Sequence, residues 1–228
     1  MLAARRGVAG CLSGPTQSPC SSRRLLPLRD RRAARELHIS SSASAAAGAA
    51  EPSTKPVEYC VIVDEQNRVV GHEPRDVTVR NRLLGRGSYV LVSNGAGELL
   101  VSKRSSRKDV YPGHWDVVIS GVVCRGEEYE DTAARELAEE IGVSEEAARA
   151  GLRRLVVFPY EDSSCHVWGC AFAYRHEGGP LRLQEEEVDW AGFKSWEEVQ
   201  RMLAQERFTP VGRHILELVT RAGLWSQQ

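Results

Sequence analysis

Gly121-Val-Val-Cys-Arg-Gly-Glu127, then seven residues, then Arg135-Glu136-Leu137-Ala138-Glu139-Glu140-Ile141-Gly142-Val143, is the stretch on which the architecture of this chain turns. The spacing predicts a helix over Asp131 to Ile141, with an acidic first turn that suits the helix dipole and Gly142 just past the end as a stop. At about 100° per residue, Glu136, Glu139 and Glu140 project within one arc of that helix. Like charges at this spacing each cost about 0.2–0.5 kcal/mol in a bare helix, so the segment is locally unfavourable unless a cation neutralises it. A donor set of oxygens alone suits Mg2+ or Mn2+, which keep several waters and share phosphate oxygens with a substrate, whereas zinc would call for a His/Cys set that the sequence lacks. A phosphate or diphosphate substrate is implied. A solvated acidic face would explain the charge run, but not a glycine at each end, an arginine directly before Glu136 and a loop glutamate in one register.

The pattern Gly-x5-Glu-x7-Arg-Glu-apolar-x-Glu-Glu-x-Gly-apolar is met at every position from Gly121 to Val143, and it resembles the signature of the Nudix hydrolases. The resemblance implies an α+β fold, an α/β/α sandwich with a mixed sheet and an N-terminal β-hairpin extension, over residues 57–225. It implies a hydrolase that cleaves the diphosphate linkage of a nucleoside-diphosphate-X type metabolite. Glu136, Glu139 and Glu140 would then coordinate Mg2+ or Mn2+, with Glu136 also a candidate base. Arg135 would hold a carboxylate in place, Glu127 would pair with Arg135, and Gly121 and Gly142 would shape the motif. Outside it, Leu99-Leu-Val-Ser-Lys-Arg104, Lys108, Tyr111-Pro-Gly-His-Trp115 and Gln184-Glu-Glu-Glu-Val188 look like a branch close to isopentenyl-diphosphate isomerases and their bacterial hydrolase relatives. The isomerase chemistry needs a Cys before the motif glycine and a His after it, where this chain has Ser120 and Val122. A nucleotide-sensing module without turnover is the other alternative, and the complete set Glu136, Glu139 and Glu140 speaks against it.

Further candidates surround the motif. Glu187, the last of three consecutive glutamates, is placed to supply a ligand or base from across a cleft. Lys103 and Arg104, with Arg107 and Lys108 in the same basic cluster, suit phosphate contact, and Tyr111 and Phe158 could pack the rest of a substrate, although strand aromatics are more often core. His114 and His166 are assigned nothing. The cysteines of the domain form no CxxC pair and are expected to be free thiols.

Around this centre the chain reads as hairpins and helices. Val57 to Val63 with Arg68 to Glu73, and Ser88 to Ser93 with Glu98 to Ser102, are two hairpins. A short helix near Asp76 to Leu84, one strand over Trp115 to Val123, a short helix at Ser144 to Ala150 and strands at Leu155 to Tyr160 and His166 to Tyr174 follow. Amphipathic helices at Trp196 to Ala204 and Val211 to Ala222 close the chain. The formal net charge of −1 hides a basic head: residues 1–50 hold eight Arg and no Lys against Asp30 and Glu36. Rich in Ser and Ala, poor in acids and without a packing period, residues 1–52 read as a disordered leader of the transit-peptide kind, and Arg35, Leu37 and Ser40 resemble a mitochondrial trimming signal with cleavage near residue 44. Mitochondrial import is the expectation, with a plastid or cytoplasmic setting as alternatives. The remaining, acidic part argues against polymeric nucleic acid as a partner, and no apolar run approaches the roughly 20 residues of a membrane span. The expected partner is a small-molecule diphosphate.

Overall fold

The computed structural model describes residues 57–225; the expected leader lies outside the described residues. A strand buried at nearly every position is covered on both faces, and β3 (Gly85–Ser93) is such a strand, buried without interruption from Gly87 to Val92. It is the hub of a nine-stranded mixed arrangement. Along one edge it pairs in parallel with β8 (His166–Arg175), from Gly85 opposite Val167 to Ser93 opposite Arg175, and β8 in turn pairs antiparallel with β7 (Arg153–Glu161). Along the other edge Gly87 to Val90 pair with β6 (Ile119–Val122), while β1 (Tyr59–Val63) joins at Ile62 opposite Gly85. A tight turn at Asn94 to Gly97, where the Asn94 carboxamide oxygen accepts from the Ala96 and Glu98 amides, sends the chain into β4 (Leu99–Arg104). β4 pairs with β5 (Trp115–Asp116) and β9 (Val188–Lys194) to make a second leaf. β2 (Val69–Pro74) completes the N-terminal hairpin with β1.

Side-chain alternation on β3 divides the interior in two. Val90 and Val92 point to the face covered by α2 (Tyr129–Ile141) and α3 (Glu145–Gly151), where they meet Ala133, Leu137, Ile141 and Phe172. Tyr89 and Leu91 point to the other face, against Val199 of α4 (Trp196–Gln205) and Val211, Ile215 and Val219 of α5 (Pro210–Arg221). This is the expected helix–sheet–helix sandwich. A short helix, α1 (Arg75–Arg80), caps the first hairpin.

Several elements differ from the sequence expectation, among them α1, which stops at Arg80 short of the expected Leu84, and two beside the motif. The single strand expected over Trp115 to Val123 is broken into β5 and β6, because the buried Asp116 carboxylate accepts from the Val117 and Val118 amides at 2.9 and 3.3 Å and takes both out of the ladder. The helix expected from Asp131 starts at Tyr129, because the Asp131 carboxylate reaches back 2.8 Å to the Glu128 amide and closes the first turn as a cap. At its far end Gly142 adopts φ 78°, with its own amide and that of Val143 donating back to Ala138 and Leu137. A fully buried α5 residue tests the second core: Ile215→Ala is expected to cost about 2–5 kcal/mol, read as a lower midpoint in urea with little change in slope.

Candidate active site

α2 carries its carboxylates on the margin of its buried stripe. Ala133, Ala134, Leu137 and Ile141 fix the helix on the sheet, and that orientation lays Glu136 against the backbone of β6. The approach is close enough that a Cβ on Gly121 would lie 2.0 Å from the Glu136 Oε1. Glycine is required there by the side chain packed over it, while its backbone is ordinary extended strand.

Arg135 organises the acids around it. Its Nε donates to Glu127 Oε1 at 2.8 Å, and one terminal nitrogen reaches both Glu136 Oε1 at 2.7 Å and Glu139 Oε2 at 3.2 Å. Glu127 is held in turn by the Cys124 amide at 3.1 Å and the Thr132 hydroxyl at 2.8 Å. Glu140, almost fully buried, finds its counter-charge outside the motif: Lys108 Nζ, in the loop after β4, lies 3.5 Å from Glu140 Oε1 and also bonds Glu187. Burial pushes the Glu136 carboxyl up to about 7 and the Glu140 carboxyl up to about 8; Arg135 and Lys108 oppose these shifts, and the neighbouring carboxylates add to them.

Among the described residues no three acidic, His or Cys side chains converge as a finished cation cage, since Arg135 draws Glu136 and Glu139 to itself and Lys108 draws Glu140 and Glu187. The donors nevertheless fit a hard divalent cation: they are all carboxylate oxygens, two of them, Glu140 buried and Glu136 largely buried, are neighbouring acids that such a cation would relieve, and the Gly121 backbone leaves Glu136 room to lie flat.

These residues open onto a cleft of 430 Å³ whose walls bring together Arg135, Glu136, Glu139, Glu187, Arg104 and Tyr111. Arg104 donates to the Val110 carbonyl at 3.2 and 2.9 Å and, among the described residues, meets no carboxylate within bonding distance. Tyr111, at φ 52°, donates its hydroxyl to Asp162 in the β7–β8 turn, an acid that also accepts from Tyr160. Lys103 and Phe158 are not brought to the cleft. Lys103 alternates with Arg104 along β4 and stands over the Trp115 ring, 5.4 Å from its centroid. Phe158 is core, packed on Tyr89 and filling the space beside Gly169. Sequence reasoning missed Asp116 on the cleft floor, whose carboxyl burial pushes up to about 6 against the opposing pull of Arg104, and the Arg75–Asp109 pair at 3.0 Å on its rim. Neither belongs to a linear pattern that could have flagged it.

Comparison with known proteins bears on the identity. The NUDIX domain family model matches residues 83–219, well over half of the chain. An uncharacterised Nudix hydrolase of Pseudomonas aeruginosa is 41% identical over 144 residues, covering 63% of this chain and 82% of that protein. A crystal structure from Deinococcus radiodurans superimposes with a TM-score of 0.59 at 27% identity, over 72% of this chain and 98% of that one. A bifunctional NMN adenylyltransferase/ADP ribose pyrophosphatase from Francisella tularensis, complexed with AMP and Mn ion, shares the fold at 16% identity and a TM-score of 0.50, over 60% of this chain and 41% of that one. The expectation of mitochondrial import does not stand: the Pseudomonas relative and others from Yersinia pestis, Escherichia coli and Streptomyces coelicolor are bacterial proteins. With its motif intact on α2 and the family model spanning the sandwich, the chain belongs to the Nudix family and is a hydrolase of pyrophosphate bonds.

Proposed function

We propose that the chain hydrolyses the diphosphate linkage of a nucleoside-diphosphate-X type metabolite with Mg2+ or Mn2+, held by Glu136, Glu139 and Glu140. The observation that carries this is that one cleft is lined by both kinds of charge: Glu136 and Glu139 of α2, and Arg104, Arg107 and Lys108 of the β4–β5 region. Acids alone would repel a diphosphate, and cations alone would bind it without breaking it.

When bound, the divalent cation supplies a water of lowered pKa and neutralises charge on the departing phosphate oxygen. The protein's own groups do the rest. Arg135 fixes the direction of Glu136 and Glu139 through its two short bonds. Glu136, held against Gly121, is the group placed to take a proton at the diphosphate. Glu187, bonded to Lys108 and lining the same cleft, is a second acceptor, and the arginine donors hold phosphate oxygens in fixed positions. Tyr111, clamped by Asp162, borders the part of the cleft that takes the group beyond the diphosphate; the ADP ribose pyrophosphatase activity of the Francisella neighbour is consistent with a nucleotide there. An isomerase would need a thiol at position 120, and the serine there lines the cleft without one.

Glu136→Gln is expected to lower metal-dependent cleavage of ADP-ribose or a related dinucleotide by about 10²–10⁴-fold while the far-ultraviolet circular dichroism is unchanged. Phosphate products formed at the wild-type rate by this variant would overturn the assignment. Gly121→Ala is expected to reduce turnover with the melting temperature little altered, because the atoms nearest the added methyl all belong to the Glu136 side chain, whose carboxylate it displaces. The raised carboxyls also set a sign for pH. Where the folded protein keeps protons on Glu136 and Glu140 that the unfolded chain has released, stability falls as pH rises, here from about 4.5 through about 8. A chelator-treated sample should therefore lose melting temperature across that window relative to a sample with millimolar Mg2+, the gap widening toward pH 8. A gap that is flat or narrows with pH would count against the cation site.

A further inference from the structure

β1 meets the motif loop as well as the sheet. Val61 N donates to Val123 O at 2.9 Å and Arg125 N donates to Tyr59 O at 2.7 Å, and these bonds bracket an antiparallel bridge that sets Cys60 opposite Cys124. No backbone bond joins the two cysteines themselves, so the pair is of the non-hydrogen-bonded kind. There the α-carbons stand about 4.5 Å apart and both side chains leave from the same face, at the lower end of the roughly 4.4–6.8 Å that a disulfide spans. Both are free thiols. Cys124 lines the cleft, between Gly121 and Glu127, and Cys60 lies directly behind it at 2% exposure.

We propose that Cys60 and Cys124 form a redox modification site, a cross-strand thiol pair that a hydroperoxide converts to a disulfide stapling the N-terminal hairpin to the motif loop. Cys124, the member a small oxidant can reach, attacks the peroxide as its thiolate after losing its proton to solvent. The O–O bond breaks, one oxygen stays on sulfur as a sulfenic acid, and the other leaves as alkoxide and takes up a proton to become the alcohol. The Cys60 sulfur then attacks Cys124 Sγ; the S–S bond forms, and the hydroxide released combines with the Cys60 proton as water. Two thiols and one hydroperoxide thus give one disulfide, one alcohol and one water, with two electrons passing from sulfur to the O–O bond.

The surroundings decide why this pair is singled out. Cys60 is faced by Thr78 and Arg75 of α1, by Glu58 and by Asp109, and Cys124 by Glu127, Arg135 and Glu58. Burial pushes both thiols up, so neither reacts through an exposed thiolate. Selectivity comes from proximity instead: once Cys124 is oxidised, the resolving sulfur is already its neighbour, and the second step is intramolecular. Cys165 and Cys170 have no such partner among the described residues: Cys165 lies against the Tyr89 hydroxyl, and Cys170 stands between Ser88 and Val157 in the sheet. The bridge would join positions 64 apart in sequence. Because the Cys124 amide also holds Glu127, the staple would tie the hairpin to the loop that supports Arg135.

The full-length protein should be treated with excess tert-butyl hydroperoxide, alkylated with iodoacetamide, digested without reductant and mapped by mass spectrometry. The expected result is a cross-linked peptide pair containing Cys60 and Cys124, lighter than the two thiol peptides together by about two hydrogens. It should be abolished by dithiothreitol and accompanied by a higher melting temperature of the oxidised protein. Cys124→Ser should lack the linked pair and leave Cys60 alkylated only after unfolding. Recovery of Cys60 and Cys124 from the wild-type protein as separate peptides, alkylated or individually oxidised, or linked to other cysteines, would overturn the proposal. The mapping on wild type decides even where the variant fails to fold, and it is independent of any substrate.

Discussion

Two acids of one helical turn, Glu140 buried and Glu136 largely so, sit side by side, and the surrounding structure is arranged to make that tolerable. Like charges removed from water are costly unless each finds a partner. One partner is local, since Arg135 is the residue next to Glu136. The other is distant: Lys108 reaches Glu140 only because β4 pairs with β9 and β5 in the second leaf, which carries the following loop over the end of α2. The sandwich fixes the helix, the second leaf fixes the loop, and the charges meet where the two come together. Neither half of the sheet would make the site alone.

Much of this was legible in the sequence, and for a physical reason. Local patterns report local structure: the alternation in the two hairpins, the stop at Gly142, the amphipathic stripes of α4 and α5, and the spacing of Gly121, Glu127 and Arg135. The pairing of Glu127 with Arg135 joins residues of one loop-and-helix unit, so their register was available from the chain alone. What could not be read depends on contacts between distant segments. The break at Asp116 follows from a side chain that prefers its neighbours' amides to a ladder, a competition that strand propensity does not represent. Lys103 and Arg104 are alike in composition, and only the facing of β4 against its partners sends one to Trp115 and the other to the cleft. Phe158 was ambiguous for the same reason, because a strand aromatic is core or cleft according to which sheet face it takes.

The loop between β4 and β5 shows how the cleft wall is secured. Asp109 pairs with Arg75 on α1, Lys108 with Glu140 on α2 and Glu187 beside β9, and Tyr111 with Asp162 at the β7–β8 turn. Each tether ends on a different element of the fold. Ser105, almost fully buried, accepts through its backbone from Lys108 and Gly113 and donates its own amide to Glu187, closing the base of the loop.

Nearly all of these tethers are ionic or polar, and of the loop's residues only Tyr111 leans on a hydrophobic cluster. The wall and the sandwich beneath it therefore answer to different solvent variables. Apolar burial holds the sheet and helices and is indifferent to simple salt, and the buried Lys108–Glu140 pair is screened little, whereas the half-exposed Arg75–Asp109 pair weakens as the Debye length contracts, to about 8 Å at physiological ionic strength and about 3 Å at 1 M. The Arg75–Asp109 edge of the cleft is in this sense an electrolyte-sensitive part set on an electrolyte-insensitive frame, and its weakening would be a local change that the global stability of the fold does not report.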